Sequence, residues 1–433
     1  MQQANVQVIG RTGSHWARVD NSGTRDAGAA LNALLEEHWD GGLDLFLAPG
    51  TYLIEQPIVV ARSNVAIQGY TFGFAYPQFN RTVRQPDRGW EGKTRLLVAP
   101  SCRDAIQVGP APRLSAFTLR NITICGQNGR IGVRPDIDPE QNGICIMPDT
   151  RPFSCVVDYC QLIHLTHGII NEHPESTMDV WYITDNWIAE CNVAIRLHSS
   201  LFASVISRNG FHDMSGTVFE LRSASRTDLT TKEMVLSDNT GWNPGKLVFD
   251  LDGFRGGTVS DNAFMFNHEQ VQCFARLRHC SMTHVSGNTF VVDGSGPRGY
   301  GRFGDTAALG YDQNGERYDT LTMAGCSDCT VAGNSLLSFN RERPVIRLGA
   351  DRETGAVSRH NHVTLNKILP STGFDERPQV ELTEGAEANL VVLPMAAGPA
   401  ARRAVLDHGR DNQICALPLA LDDPEGTSCN GSP

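Results

Sequence analysis

Carboxylates and arginines recur in this chain at matching places in successive sequence units. One series is Arg196, Glu220, Asp250, Arg276 and, further on, Arg347, each late in a short β run. A second is Asp185, Arg208, Asp238 and Asp261, continued by Gly287 and Gly333, each just ahead of an Asn. If the units stack, each series becomes a surface column, and carboxylates face outward on neighbouring coils between Asp185 and Asp261. Paired carboxylates about 5 to 9 Å apart suit glycosyl chemistry, one as acid and the other as nucleophile or base. Arginines beside them could hold sugar hydroxyls or lower a neighbouring carboxyl's pKa. From charge alone the simpler account is a surface salt-bridge ladder, Arg196 with Glu220 and Arg208 with Asp185, which contributes little energy.

The elements that must carry these columns show in a repeat. A small or polar pair, then Asn, recurs at Asn186, Asn209, Asn239, Asn262, Asn288 and Asn334, in steps of 23, 30, 23, 26 and 46 residues, the last being two coils of 23. A β run precedes each Asn (Val180 to Ile183, Ala203 to Ile206). A second follows about ten residues later (Val193 to Leu197, Val218 to Leu221, Leu247 to Leu251, Phe274 to Leu277, Val345 to Leu348). Apolar and polar residues alternate in these runs, the signal of half-buried strands. A fixed period of this length marks a solenoid, whose coils about 4.8 Å apart bury a continuous core. The Asn residues are expected to form an internal ladder, each amide bonding the coil above or below.

Asp26 to His38 predicts an amphipathic capping helix with Asp26 near its N-cap, covering the open end of the solenoid. The expected organisation is an N-terminal segment 1–56, a parallel β-helix 57–394 and a loosely packed extension 395–433. Tyr70 to Thr94 and the Gly-rich Gly294 to Thr320 break the rhythm and read as functional loops. A continuous repeat across 433 residues argues for one elongated domain. The net charge of −11 without a basic stripe argues against nucleic acid. No long apolar run or leader pattern marks a membrane or secretory route, so the expectation is cytoplasmic, or secreted with a leader removed. The 12 Cys residues read as buried free thiols, and Cys326 with Cys329 has only half of a zinc-site spacing.

Several stretches resemble the inulin fructotransferase family, parallel β-helix enzymes that release inulin's terminal difructose unit as a cyclic anhydride. These are Gly50-Thr51-Tyr52, Val65 to Tyr70 with Gly73-Phe74, and above all Asp185-Asn186-Trp187-Ile188-Ala189-Glu190-Cys191. The similarity spans roughly Ala27 to Leu393. It implies that Asp185 is one of two catalytic carboxylates. The family's second carboxylate lies eleven residues later, and Arg196 stands there. A guanidinium is neither nucleophile nor acid at neutral pH, so another carboxylate must serve: Glu220 one coil on, Glu172 (or Glu175) in a short acidic insertion, or Glu190. The resemblance also implies a homotrimer with sites between subunits, which would bring Arg81, Arg84, Arg88, Arg298 and Arg302 near substrate.

Among other candidates, His164, His167 and His173 cluster in sequence, with packed or solvated roles favoured over catalysis. Trp181 and Trp187 flank Asp185, one expected in the core and the other as a sugar platform, with Trp90 a further platform. Arg196, Arg208 and Asp238 are expected to bind substrate. The chain thus reads as an all-β, right-handed parallel β-helix of the pectate-lyase-like kind with a helical cap. Its expected function is a carbohydrate-active enzyme on furanosyl linkages, transferring intramolecularly or hydrolysing a cyclic disaccharide anhydride, with an oligo- or polysaccharide substrate and no cofactor or metal. A polysaccharide lyase or uronate epimerase, and a non-catalytic glycan-binding β-helix, are the alternatives.

Overall fold

The computed structural model describes residues 4–70, 92–126, 140–225, 231–242, 244–266, 273–292, 319–337, 344–369, 378–395 and 404–418. The chain winds as a right-handed parallel β-helix. Among these residues there are a 15-stranded sheet A, 12-stranded sheets B and C, and a 6-stranded sheet D. One coil shows the plan. Tyr182–Thr184 lies in sheet A, Trp187–Ala189 in sheet B, Val193–His198 in sheet C and Ser200–Phe202 in sheet D, and Val205–Ser207 returns to sheet A. In sheet C, Ile169, Ile195, Phe219 and Phe249 stack in register and point inward, all fully buried. The residues that alternate with them, Arg196, Glu220, Asp250 and Arg276, pair in one outward column, as period-two alternation requires.

The Asn ladder is present and longer than expected. Asn239 donates from Nδ2 to Ile206 O (3.0 Å) and Asn262 Oδ1 (2.9 Å), and its Oδ1 accepts from Asn209 N (3.1 Å) and Nδ2 (3.0 Å). The series runs from Asn186 through Asn334 and adds Asn366, whose Oδ1 accepts from Asn334. A second ladder, Asn361, Asn389 and Asn412, occupies the D-to-A corner near the C-terminal end.

From Phe117–Arg120 onward, each described turn from sheet A into sheet B begins with a residue in the left-handed region: Asn121, Tyr159, Asp185, Arg208, Asp238, Asp261, Gly287, Gly333 and Leu365, with φ between 51° and 68°. Asp, Asn and Gly tolerate that conformation best. The corner therefore explains much of the Asp and Gly content of this column without reference to chemistry.

Helix α1 (Gly28–His38) seals the first coils with Leu31 and Leu35. Asp26 caps it, its carboxylate accepting from Gly28 N (3.0 Å) and Ala29 N (3.1 Å). Parallel pairing already joins Ser22–Asp26 to Gly50–Ile54, and Leu43–Leu47 to Val65–Gln68. At the other end Val405–Asp407 adds to sheet C and Gln413–Pro418 to sheet A. The solenoid thus reaches beyond 57–394 on both sides. The described cysteines are all free, and burial pushes the thiols of Cys155, Cys160 and Cys191 up to about 12.

Candidate functional site

Sheet C carries a run of ion pairs on its outer face. Strand Thr217–Arg222 buries Phe219 and Leu221 and turns Glu220 and Arg222 outward. Strand Val193–His198 does the same with Arg196 and His198. Arg196 is the centre: Nε and Nη2 each lie 3.0 Å from Glu220 Oε2, and Nη1 lies 3.0 Å from Glu172 Oε1. Two such bonds on one planar guanidinium leave the facing carboxylate oxygens no more than about 8 Å apart, within the span glycoside chemistry uses. The other Glu220 oxygen meets His198 Nε2 (3.1 Å) and Arg222 Nη2 (2.9 Å).

Glu220 is 8 % exposed. Burial pushes its carboxyl up, but the His198 bond and the Arg196 and Arg222 charges outweigh that and hold it at about 2. It is ionised at any working pH. Glu172 is exposed, at the rim. Further along, Arg276 clamps Asp250 through two bonds (3.0 and 2.6 Å), Arg278 approaches Asp250 and Asp252, and Arg347 holds Glu381. His198 and Arg222, missed in the sequence, sit two residues after Arg196 and Glu220. An i, i+2 reading of the outward face would have found both.

Asp185 and Glu190 lie elsewhere. Asp185 occupies an A-to-B corner, its two oxygens taken by Arg208 Nε (2.9 Å) and Nη2 (2.6 Å), with Asp238 exposed further along the same corner. Between Asp185 and the sheet C column lie the three residues Trp187–Ala189 and a second corner. At about 3.3 Å per residue this strand alone spans about 10 Å. Asp185 pairs with Arg208, whereas Glu172 and Glu220 share the guanidinium of Arg196. Glu190 sits at the B-to-C corner with its side chain largely covered, 2.8 Å from His164 Nε2, and His164 Nδ1 lies 3.9 Å from Cys125 Sγ. Burial pulls the His164 imidazole down, yet the Cys125 and Glu190 bonds outweigh it and raise it to about 10.

Trp181 is a correction to its place among the substrate-binding candidates. It is 1 % exposed, and its indole donates to Pro152 O (3.3 Å) inside the solenoid. Trp187 is half-buried on the outer face of sheet B, stacked on His212 with ring centroids 4.1 Å apart. Gly210 makes room for it, since a Cβ there would meet the indole at 2.6 Å. Trp90 and Arg302, with Arg81, Arg84, Arg88 and Arg298, lie outside the described residues.

No family model and no curated protein sequence matches this chain. Solved structures do. The DFA-IIIase of Arthrobacter chlorophenolicus A6 superposes with a TM-score of 0.69 at 17% identity, covering 92% of this chain and 97% of that one. The same enzyme in complex with DFA-III gives 0.68 at 17%, covering 92% and 97%. The A-module of the mannuronan C-5 epimerase AlgE6 of Azotobacter vinelandii gives 0.55 at 12%, covering 92% and 97%. The resemblance read from Asp185 to Cys191 thus holds at the level of the fold, a parallel β-helix of matching length.

Proposed function

We propose that the protein is a carbohydrate-active enzyme that cleaves or rearranges furanosyl linkages, with its chemistry on the outer face of sheet C. One observation carries this reading: Glu172 and Glu220 flank the single guanidinium of Arg196 at a spacing suited to a glycosidic bond. Glu220, ionised and fixed by Arg196, Arg222 and His198, is the base or nucleophile. Glu172, exposed at the rim, is the acid–base partner, taking up a proton from solvent and passing it to the departing oxygen. Arg196 holds both carboxylates in place. The fold shared with an enzyme crystallised with DFA-III favours fructofuranosyl substrates, either a linear fructan rearranged to a cyclic anhydride or such an anhydride hydrolysed. The subunits are proposed to form a homotrimer, which sedimentation would test.

A second reading, a lyase or epimerase on uronates, is favoured by the arginines of the same groove. The Nε atoms of Arg222 and Arg278 are buried without a partner among the described residues and would suit an acidic sugar. Product analysis with inulin, GF2, difructose anhydrides and uronate polymers separates the two. Glu220→Gln and Glu172→Gln should each lower turnover of a fructan or anhydride by about 10² to 10⁴, and Asp185→Asn should stay near wild type. Turnover abolished in Asp185→Asn but kept in the two Glu variants would reject the assignment of the site. An ultraviolet-absorbing product from a uronate polymer would instead establish the lyase.

A further inference from the structure

Three polar residues on the outer face of sheet C stand beside the Glu172–Arg196–Glu220 grouping and are not used by it. Asp104, Asn142 and His167 are direct neighbours on three consecutive strands. Their hydrogen bonds can be assigned in only one way. Asn142 Nδ2 donates to Asp104 Oδ1 at 2.9 Å, while Gln107 Nε2 donates to Asp104 Oδ2 at 2.9 Å. That leaves the amide oxygen of Asn142 as the atom 2.7 Å from His167 Nδ1. An amide oxygen only accepts, so His167 Nδ1 carries the hydrogen, and in the neutral ring Nε2 is a bare lone pair. This side chain is 5 % exposed, and its Nε2 has no partner among the described residues. A buried acceptor without a donor is costly, and such atoms call for a ligand or an ordered water.

The surroundings keep the ring neutral. Burial first, and then the Arg196 charge, draw the imidazole down to about 4, against the opposing influence of Glu172 and Glu220, with Arg103 nearby and Glu140 3.6 Å from Nδ1. Arg196 itself is occupied by the two glutamates. No donor to Nε2 stands among the described residues, so the partner that fits is one that brings its own hydrogen. A carboxylate carries no hydrogen to give and would face the lone pair with its own. A sugar hydroxyl fits.

We propose that His167 Nε2 is a binding group of the sheet C site that accepts a hydrogen bond from a substrate hydroxyl, selecting a neutral sugar over a uronate carboxylate at that place. This rests on the glycan reading above. Long-range proton–nitrogen spectra of ¹⁵N-histidine protein, with His167 assigned by its loss in His167→Gln, should show Nδ1 protonated and Nε2 bare. Titration with a fructo-oligosaccharide should move the Nε2 resonance. His167→Phe should weaken that binding by about tenfold, and His167→Gln, which keeps an acceptor, by less. An Nε2-protonated ring overturns the inference and leaves the glycan reading intact. So does fructo-oligosaccharide binding that neither moves Nε2 nor weakens in His167→Phe. Failure of every neutral glycan to bind, or binding of uronate oligomers alone, overturns both. The spectra use the wild-type protein, so a poorly folded Phe variant does not decide the matter.

Discussion

Replacing Asn239 tests whether amide hydrogen bonds or merely filled volume hold the coils in register. Asn239→Ala removes four bonds at once. Asn209 N–H loses its acceptor in a fully enclosed place, while Asn209 Nδ2 keeps Ile183 O and Asn262 Oδ1 keeps the Asn239 N–H. Counting one orphaned donor and three partners that each lose one bond, Ile206 O among them, gives a cost of about 4 kcal/mol. Asn239→Asp has the same shape but sets a carboxylate oxygen against Ile206 O and Asn262 Oδ1, with no water at hand, so it should be worse than Ala. Asn412→Ala also loses four bonds, three of the ladder kind and one to Asp407 Oδ1, but at the half-exposed end of the second ladder, where water substitutes, so it should cost only about 1 kcal/mol. Urea denaturation ranks the three variants, and hydrogen exchange at the Asn209 amide reports the local break. If Asp proves no worse than Ala at position 239, or Asn239→Ala costs no more than Asn412→Ala, the ladder works by volume and the hydrogen-bond argument fails.

Three further outcomes follow from the same geometry. Glu220, held at about 2 against an ordinary 4.5, contributes stability that is complete above pH 4.5 and lost as pH falls through 2. The wild type should exceed Glu220→Gln by about 2 to 3 kcal/mol at pH 7, a margin that shrinks in acid; urea melts giving a constant margin would count against the ion cluster. Gly210→Ala drives a methyl into the Trp187 ring, so Trp fluorescence should change and stability fall by about 1 to 3 kcal/mol; an unchanged spectrum would contradict the stacking on His212. Alkylation of the native protein at pH 8 should mark exposed Cys415 while Cys155, Cys160 and Cys191 stay unmodified, because buried thiols held near 12 carry almost no thiolate; peptide mapping checks this.

The ladder and the sheet C column were legible because both follow from repetition. Asn209 and Asn239 are recognisable as equivalents before any coordinates exist, and once they are aligned, Arg196, Glu220 and Asp250 must share a face. The corners were harder to interpret. Asp185, Asp238 and Asp261 look like an acidic column, yet they occupy a turn whose backbone demands a left-handed residue, and a sequence records the carboxylate without the φ angle that selected it. Trp181 and Trp187 present the same difficulty. Six residues apart on either side of one corner, one enters the core through its indole bond to Pro152 and the other stacks outside on His212, and nothing in their spacing distinguishes them. His167 was visible only as one of three clustered histidines. Its significance comes from Asp104 and Asn142, which are 63 and 25 residues away in sequence and one or two coils away in space.

Arg196 shows what a solenoid does to the logic of substitution. Read along the chain, the sequence resemblance sets a base where that family carries an acid, which taken alone argues against the family's reaction. Read across the coils, the base lies between a carboxylate from the coil above and one from the coil below, 3.0 Å from each. Stacking at about 4.8 Å makes the neighbours of a residue the residues one coil away, some 22 to 30 positions distant in sequence. A functional group can therefore pass to an adjacent coil while the site keeps its place on the sheet. Activity that survives in Asp185→Asn and vanishes in Glu220→Gln is the signature of such a transfer. The reverse pattern would mean that the corner retained the chemistry and that the sheet C cluster serves only to hold the coils together.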